Sequence, residues 1–209
     1  MESDSRQTHW EDVYTRKSEK EVSWFEENPA PSLELIAAVA PTPDMAIIDI
    51  GGGASRLVDS LIQNGFKQIT VLDLSEAALE AAKARLGKQA AQVHWLVADA
   101  TSWEPSETYD IWHDRAAFHF LTEEHDRIAY VTRLKRAVRA GGHTIIGTFA
   151  LDGPEQCSGL PVVRYDAASL SQTLGKSFEL VDTRPQVHVT PWGSTQSFQF
   201  SVFRRVALL

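Results

Sequence analysis

The sequence holds a single cysteine, Cys157, and only two methionines in 209 residues. One thiol excludes an intrachain disulfide and any metal site built on several cysteines. The histidines His9, His94, His125, His143 and His188 have no spacing that would assemble a metal site. No apolar run approaches the ~18 residues that cross a bilayer; "LELIAAVA" stops at Pro41. Excess positive charge is also lacking: 20 Lys and Arg face 28 Asp and Glu, a net charge of −8. That balance argues against a surface built to grip nucleic-acid phosphates. The cluster Arg133, Lys135, Arg136 and Arg139 reads as a solvated helix face whose cations lie near a helix C-terminus. The opening "MESDSRQTHWED" is polar and acidic, unlike a secretory signal. Low-complexity tracts, internal repeats and domain-length linkers are missing as well. The expectation is one soluble, cytoplasmic domain over 1–209, with residues 1–30 as an N-terminal arm.

What is present is an alternation of short apolar runs and helical patterns. "AIIDI" (46–50), "QITVLDL" (68–74), "QVHWLVA" (92–98), "YDIWHD" (109–114) and "HTIIGTF" (143–149) read as strands. The inner ones are apolar almost throughout, as strands covered on both faces must be. Between them, one helix starts near Ser55 and carries Leu57, Val58, Leu61 and Ile62 to Gly65. Another is capped by Ser75 and ended by Gly87, and a third runs from Thr122 with Ile128, Val131, Leu134 and Val138 inward to Gly141–Gly142. This rhythm predicts an α/β, Rossmann-like, doubly wound and mostly parallel sheet. After a helix between Asp166 and Gly175, two strand patterns flank "PWGST", which predicts a closing antiparallel hairpin. Pro185 belongs on an edge or in a bulge. In the arm, Trp10 and Tyr14 share a helical face, Trp24 and Phe25 follow, and a helix is expected from about Ser32 to Ala40. The aromatics either pack the arm down or cover a ligand.

"IIDIGGGAS" (47–55) places a glycine loop after the first strand, where open α/β sheets bind ligands. A dinucleotide fingerprint needs a third glycine at the position of Arg56, whose long side chain would oppose close helix–strand packing. Asp73 ends the second strand about 20 residues on, as expected of a carboxylate that accepts two ribose hydroxyls. Asp99 ends the third, where it can accept from an exocyclic amine; Leu74 and Ala100 flank the base, and Trp103 is a looser candidate.

The set "IIDIGGGAS", "VLDLS", "VADAT", "YDIWHDRAAFHFL" and "RAGGHTIIGTF" resembles the ordered motifs of class I S-adenosylmethionine-dependent methyltransferases over roughly residues 45–150. Ser55 stands where the usual motif ends in glycine. The resemblance implies S-adenosylmethionine as cofactor, with S-adenosylhomocysteine released. It implies that Gly51 and Gly53 approach the methionine part, that Asp49 orients the loop, and that Asp73 and Asp99 bind ribose and adenine. "HWEDVY…SWF" is similar to arms in the protein-lysine and the thiopurine/thiol methyltransferase branches, the second suggesting that Trp10 and Tyr14 lie over the cofactor. "HDRAAFHFL" is similar to an Asp-Arg-Gly-Ala-Leu segment of that branch, with Ala116 in place of the glycine.

The chemistry candidates follow the fourth strand: Asp114 as proton acceptor or substrate orienter, Arg115 as holder of an anionic group, and His119 as base. An activated sulfonium needs no obligatory base. The Asn-Pro-Pro-Tyr type of motif that grips a flipped adenine or a glutamine amide is absent. The expectation is methylation of a small molecule, such as a thiol or another soft nucleophile. The rivals are protein lysine, a non-catalytic S-adenosylmethionine-binding module, and a nicotinamide oxidoreductase.

Overall fold

A computed structural model describes residues 3–207; the ends of the expected 1–209 domain, residues 1–2 and 208–209, lie outside the described residues. Seven strands form the main sheet: β1 (Ala46–Ile50), β2 (Gln68–Asp73), β3 (Val93–Val97), β4 (Tyr109–Arg115), β5 (Val138–Phe149), β6 (Phe178–Val189) and β7 (Thr195–Arg205). The helices are α1 (Ser3–Arg16), α2 (Ala30–Val39), α3 (Leu57–Gln63), α4 (Glu76–Leu86), α5 (Glu124–Ala137) and α6 (Ala167–Leu174). Spatial order across the sheet is β3-β2-β1-β4-β5-β7-β6. The first five strands are parallel, while β7 runs antiparallel to both β5 and β6.

The alternation of side chains along each strand divides the core in two. Ile48, Ile50, Trp112 and Ile146 face α5 and α6 through Tyr130, Leu134, Leu170 and Leu174. Ile47, Ile69, Val71, Ile111 and Ile145 face α2, α3 and α4 through Leu35, Ile36, Leu57, Leu61 and Leu79. Burial on both faces explains why β1 and β2 read as continuous apolar runs. The expected Ser75 cap is present: its Oγ accepts from the backbone N–H of Ala78 at 3.1 Å.

Three expectations change. The third helix begins at Glu124 and stops at Ala137, and β5 starts at Val138, five residues before the expected strand. Val138 is buried, yet as a strand residue opposite Tyr109; a register shift between Tyr109 and Ile111 absorbs the irregular segment before His143. Ile128 points outward and is 60% exposed, because the face of α5 that packs on the sheet runs through Val131 and Leu134. Pro185 lies in the edge strand β6, where its missing N–H removes no bond from an inner ladder.

Candidate functional site

The strand order reverses at β1, between β2 and β4, so the connections from β1 and β4 leave in opposite directions and open a crevice at the strand C-termini. A cleft with about 820 Å³ of free space, partly open to solvent, lies there. Ile50 and Gly51 come to it from the end of β1, Asp73 and Leu74 from β2, Asp99 and Ala100 from β3, and Arg115, Ala116 and Ala117 from β4. Trp10, Tyr14 and Trp24 reach it from the N-terminal arm. A smaller adjoining cleft takes Asp49, Gly51, Ser55 and Arg115 into its wall.

The glycine loop is shaped by close approach. Gly51 has φ +65° and its amide donates to the carbonyl of Leu72 at 2.8 Å. A Cβ there would meet Ala117 Cβ at 2.7 Å. Gly53 has φ +41°, and a Cβ would lie 2.8 Å from Asp73 Oδ2 and 3.2 Å from the Tyr14 hydroxyl. Both positions therefore need glycine for conformation and for space. Arg56, at the third-glycine position, lines the smaller cleft and donates to Glu19 at 2.5 Å. Arg85 of α4 donates to the same Glu19, to Asp59 and to the carbonyls of Ala54 and Ser55, clamping the end of the loop. The Ser55 hydroxyl accepts from the Leu57 amide at 3.1 Å at the start of α3.

The three strand-end acids differ in their surroundings. Asp49 Oδ1 accepts from His113 Nδ1 at 2.7 Å, and His113 Nε2 and the Ser32 hydroxyl share a hydrogen bond at 2.8 Å. A carboxylate can only accept, which assigns the ring proton to Nδ1. All three residues are buried, and Asp49 and His113 are direct neighbours across β1 and β4. This chain joins the start of α2 to the loop. His113 fixes the Asp49 carboxylate. Asp73 is buried beneath the loop, and burial pushes its carboxyl up to about 7 even though backbone amides donate to it. Asp99 Oδ1 accepts from the Thr101 amide and hydroxyl at 2.8 and 2.7 Å. Asp99 Oδ2 accepts from Arg6 at 3.0 Å, while Arg6 also reaches Asp126 at 2.6 Å.

Downstream of β4 the structure separates residues that lie side by side in sequence. Both Asp114 oxygens are occupied: Oδ1 accepts from the amides of Ala117 and Phe118, and Oδ2 accepts from Phe118 and from the Tyr130 hydroxyl at 2.6 Å. Burial lifts its carboxyl to about 6. It anchors the turn and does not line either cleft, unlike the expected proton acceptor or substrate orienter. His119 is also fully buried behind the wall, and its Nδ1 accepts from the Phe149 amide at 3.3 Å. Burial, with Arg115 nearby, lowers it to about 3, so the ring stays neutral and is a weak base. Arg115 does line both clefts; it donates to the Trp24 carbonyl at 2.9 Å, pairs with Glu26 at 3.0 Å and stands over the Phe198 ring. Ala116 has φ +67°, the left-handed conformation that suits the glycine of the similar segment and is strained for alanine. Trp103 packs against Trp112 in the core and lies outside the cleft walls.

Residues 47–142 match the family described as "Methyltransferase domain". This segment is a class I methyltransferase domain. It contains the glycine loop, all three strand-end acids and the turn after β4. No curated protein matches the sequence. Among solved structures, one studied for the conversion of a disulfide bond into a thioacetal group during echinomycin biosynthesis is similar over 96% of this chain and 93% of its own, at 20% identity and TM-score 0.76. The N-methyltransferase NodS from Bradyrhizobium japonicum, in complex with S-adenosylhomocysteine, is similar over 93% of this chain and 97% of its own (15% identity, TM-score 0.71). The 1,6-didemethyltoxoflavin-N1-methyltransferase of Burkholderia thailandensis, with that substrate and S-adenosylhomocysteine bound, covers 98% of this chain and 85% of its own (18% identity, TM-score 0.68). The chain therefore has the fold of these proteins.

Several residues of the cleft escaped the sequence reading. Arg6 sits one helical turn before Trp10 and two before Tyr14, so the i, i+4, i+8 spacing was a signal for it. Phe120 carried no such signal, because its side chain meets the cleft from a short irregular segment; Trp24, named with the arm's aromatics, lies in the cleft wall.

Proposed function

We propose that this methyltransferase moves a methyl group from S-adenosylmethionine to a small-molecule acceptor with a soft nucleophile, a thiol among them, releasing S-adenosylhomocysteine. The observation that carries this reading is the convergence of Gly51, Asp73, Leu74, Asp99 and Ala100 on one cleft, with Asp49, Gly53 and Ser55 behind it. Asp73, in the cleft wall, accepts the ribose hydroxyls in this reading. Asp99, held by Thr101, faces the adenine amine between Leu74 and Ala100. The apolar wall beyond them fits a small acceptor. The sulfur chemistry of the echinomycin protein supports a soft nucleophile, and the toxoflavin-type substrate supports a small one.

The transfer itself is an in-line displacement, so the protein's work is alignment and exclusion of water. The cofactor supplies the activated methyl. We assign Trp10 and Tyr14 to a lid made by the arm, residues 1–30 in the expected boundaries. Arg115 positions that lid by holding the Trp24 carbonyl and Glu26. Asp114 and His119 hold the wall from behind. Cytoplasmic location is part of this proposal, supported by the absence, among the described residues, of a helix long and apolar enough to cross a membrane.

Calorimetric titration with S-adenosylhomocysteine and NAD, followed by incubation of the protein with methyl-labelled cofactor and a fractionated cell extract, tests the reading. Binding of S-adenosylhomocysteine and label in the low-molecular-weight fraction are expected. Label in protein would replace it with the lysine reading. Binding without turnover would leave a cofactor-binding module, and stabilisation by NAD alone would discard the cofactor assignment.

A further inference from the structure

Beyond the glycine loop and the strand-end acids, the walls of the main cleft are aromatic, and the lid residue Trp10 is part of them. Trp10 of α1, Trp24 of the loop after it and Phe120 of the turn after β4 come from three separate segments and meet there. Trp10 packs edge-to-face on Trp24 at 5.6 Å between centroids and on Phe120 at 4.9 Å. Tyr14 approaches Trp24 at 6.3 Å and accepts a hydrogen bond from its indole N–H at 3.2 Å. Edge-to-face packing holds these rings at steep angles to one another, and all three line the cleft.

The charged groups around this space are already engaged. Arg6 is held by Asp99 and Asp126, and Arg115 by Glu26, which His188 also contacts at 3.2 Å. The Tyr130 hydroxyl donates to Asp114 and accepts from Trp112. The Cys157 thiol, pushed up to about 11 by burial, stays protonated. Two histidines touch the rings, His119 edge-on behind Phe120 at 4.5 Å and His9 edge-on against Trp10 at 5.1 Å, and neither lines the cleft. Among the described residues that line the cleft, those not assigned to the cofactor include no free carboxylate or imidazole that could take a proton from an acceptor.

We propose that the acceptor is a neutral lone-pair donor with no proton to lose, of the thioether or tertiary-amine class, and that its product is an onium cation held against Trp10, Trp24 and Phe120. This rests on the methyltransferase reading above and narrows its acceptor, setting the thiol aside. In the step, the acceptor's lone pair forms the new bond to the methyl carbon. The carbon–sulfur bond of the cofactor breaks, and its electron pair stays on the cofactor sulfur. The positive charge passes from the cofactor's sulfonium to the product, and no proton is released. Aromatic faces attract a cation by their quadrupole, so they favour the product and the charge developing on the acceptor. The engaged ions fit this account, since a free cation would repel the product and a free base would have no task.

The test uses the complex with S-adenosylhomocysteine and two soluble probes of one shape, choline and its neutral carbon isostere 3,3-dimethylbutan-1-ol. Choline is expected to bind about tenfold more tightly than the isostere, and Trp24→Leu and Phe120→Leu are each expected to remove most of that difference. Equal affinity for the two probes, or no binding of choline, would overturn the proposal. So would a preference for choline that survives both substitutions. S-adenosylhomocysteine is titrated first into each protein: failure of that binding refutes the methyltransferase reading itself, and is told apart from a complex that forms and ignores choline.

Discussion

At the scale of single residues, the site is organised by what each carboxylate is allowed to touch. Asp49, Asp73, Asp99 and Asp114 all end parallel strands, yet each has different work because its partners differ. Asp114 spends its oxygens on Tyr130 and two amides, and Asp49 is fixed by His113. Asp73 has the site's most consequential perturbation, a carboxyl raised to about 7 by burial. A carboxyl raised on folding stabilises the unliganded fold while protonated. Its contribution is full below the unfolded value and is lost as pH rises through about 7. Ribose hydroxyls donate to the ionised form, so cofactor binding has the opposite dependence. Affinity for S-adenosylhomocysteine, measured by calorimetry, is expected to rise from pH 6 to 8 and then level. Asp73→Asn should flatten that profile and weaken binding at pH 8 by roughly 2 kcal/mol, about thirtyfold. A pH-independent affinity in the unsubstituted protein would remove Asp73 from the ribose.

At the scale of elements, the N-terminal arm is stitched to the cleft by ion pairs and by one helix cap. Arg6 enters between Asp99 and Asp126. Glu11 accepts from the Ser75 hydroxyl at 2.7 Å and the Ala77 amide at 3.2 Å, adding a carboxylate to the positive end of α4. Glu19 is shared by Arg56 and Arg85, and Glu26 holds Arg115. If the arm is the lid we assign it to be, these contacts must open before the cofactor leaves. Arg6→Met removes two of them while keeping the length of the side chain. Dissociation of S-adenosylhomocysteine, followed by the fluorescence of Trp10 and Trp24, is expected to speed up on the order of tenfold. An unchanged rate would show that the cofactor leaves without moving α1.

At the scale of the whole molecule, the antiparallel pair β6–β7 completes the sheet beside β5. β7 is the longest partner of β5, pairing with it from His143 to Phe149. Phe198, Phe200 and Val202 close the core on the side of α2 and α3, whereas Phe203 enters the opposite side. Phe200 lies over Gly147, where a Cβ would come 2.7 Å from its ring. The glycine thus makes room for an aromatic that closes the layer. Phe200→Ala should cost about 3–5 kcal/mol of stability, read as a lower urea midpoint with an unchanged slope. A loss below about 1 kcal/mol would mean that the layer refills without it.

Much of this was legible in the chain. Apolar runs covered on both faces gave β1, β2, β4 and the core of β5, and Ser75 and Asp166 marked helix starts that their side-chain caps confirm. The glycine loop and the three acids could be ordered because each follows its own strand. Local sequence determines such features through backbone conformation and side-chain period, which act over a few residues. The boundary of β5 was not legible, because pairing with Tyr109 across the sheet draws Val138 into the strand. Nor was the division of labour among Asp114, Arg115 and His119, three residues within one short segment. The turn at Ala116 sends Asp114 inward to Tyr130, leaves Arg115 in the cleft wall and puts His119 behind Phe120. The sequence by itself determined the order of elements, the glycine loop and the acids at the strand ends. The tertiary structure alone decided which partners each of those acids meets and which aromatics line the cleft, because burial and partners 60 to 120 residues away along the chain set both.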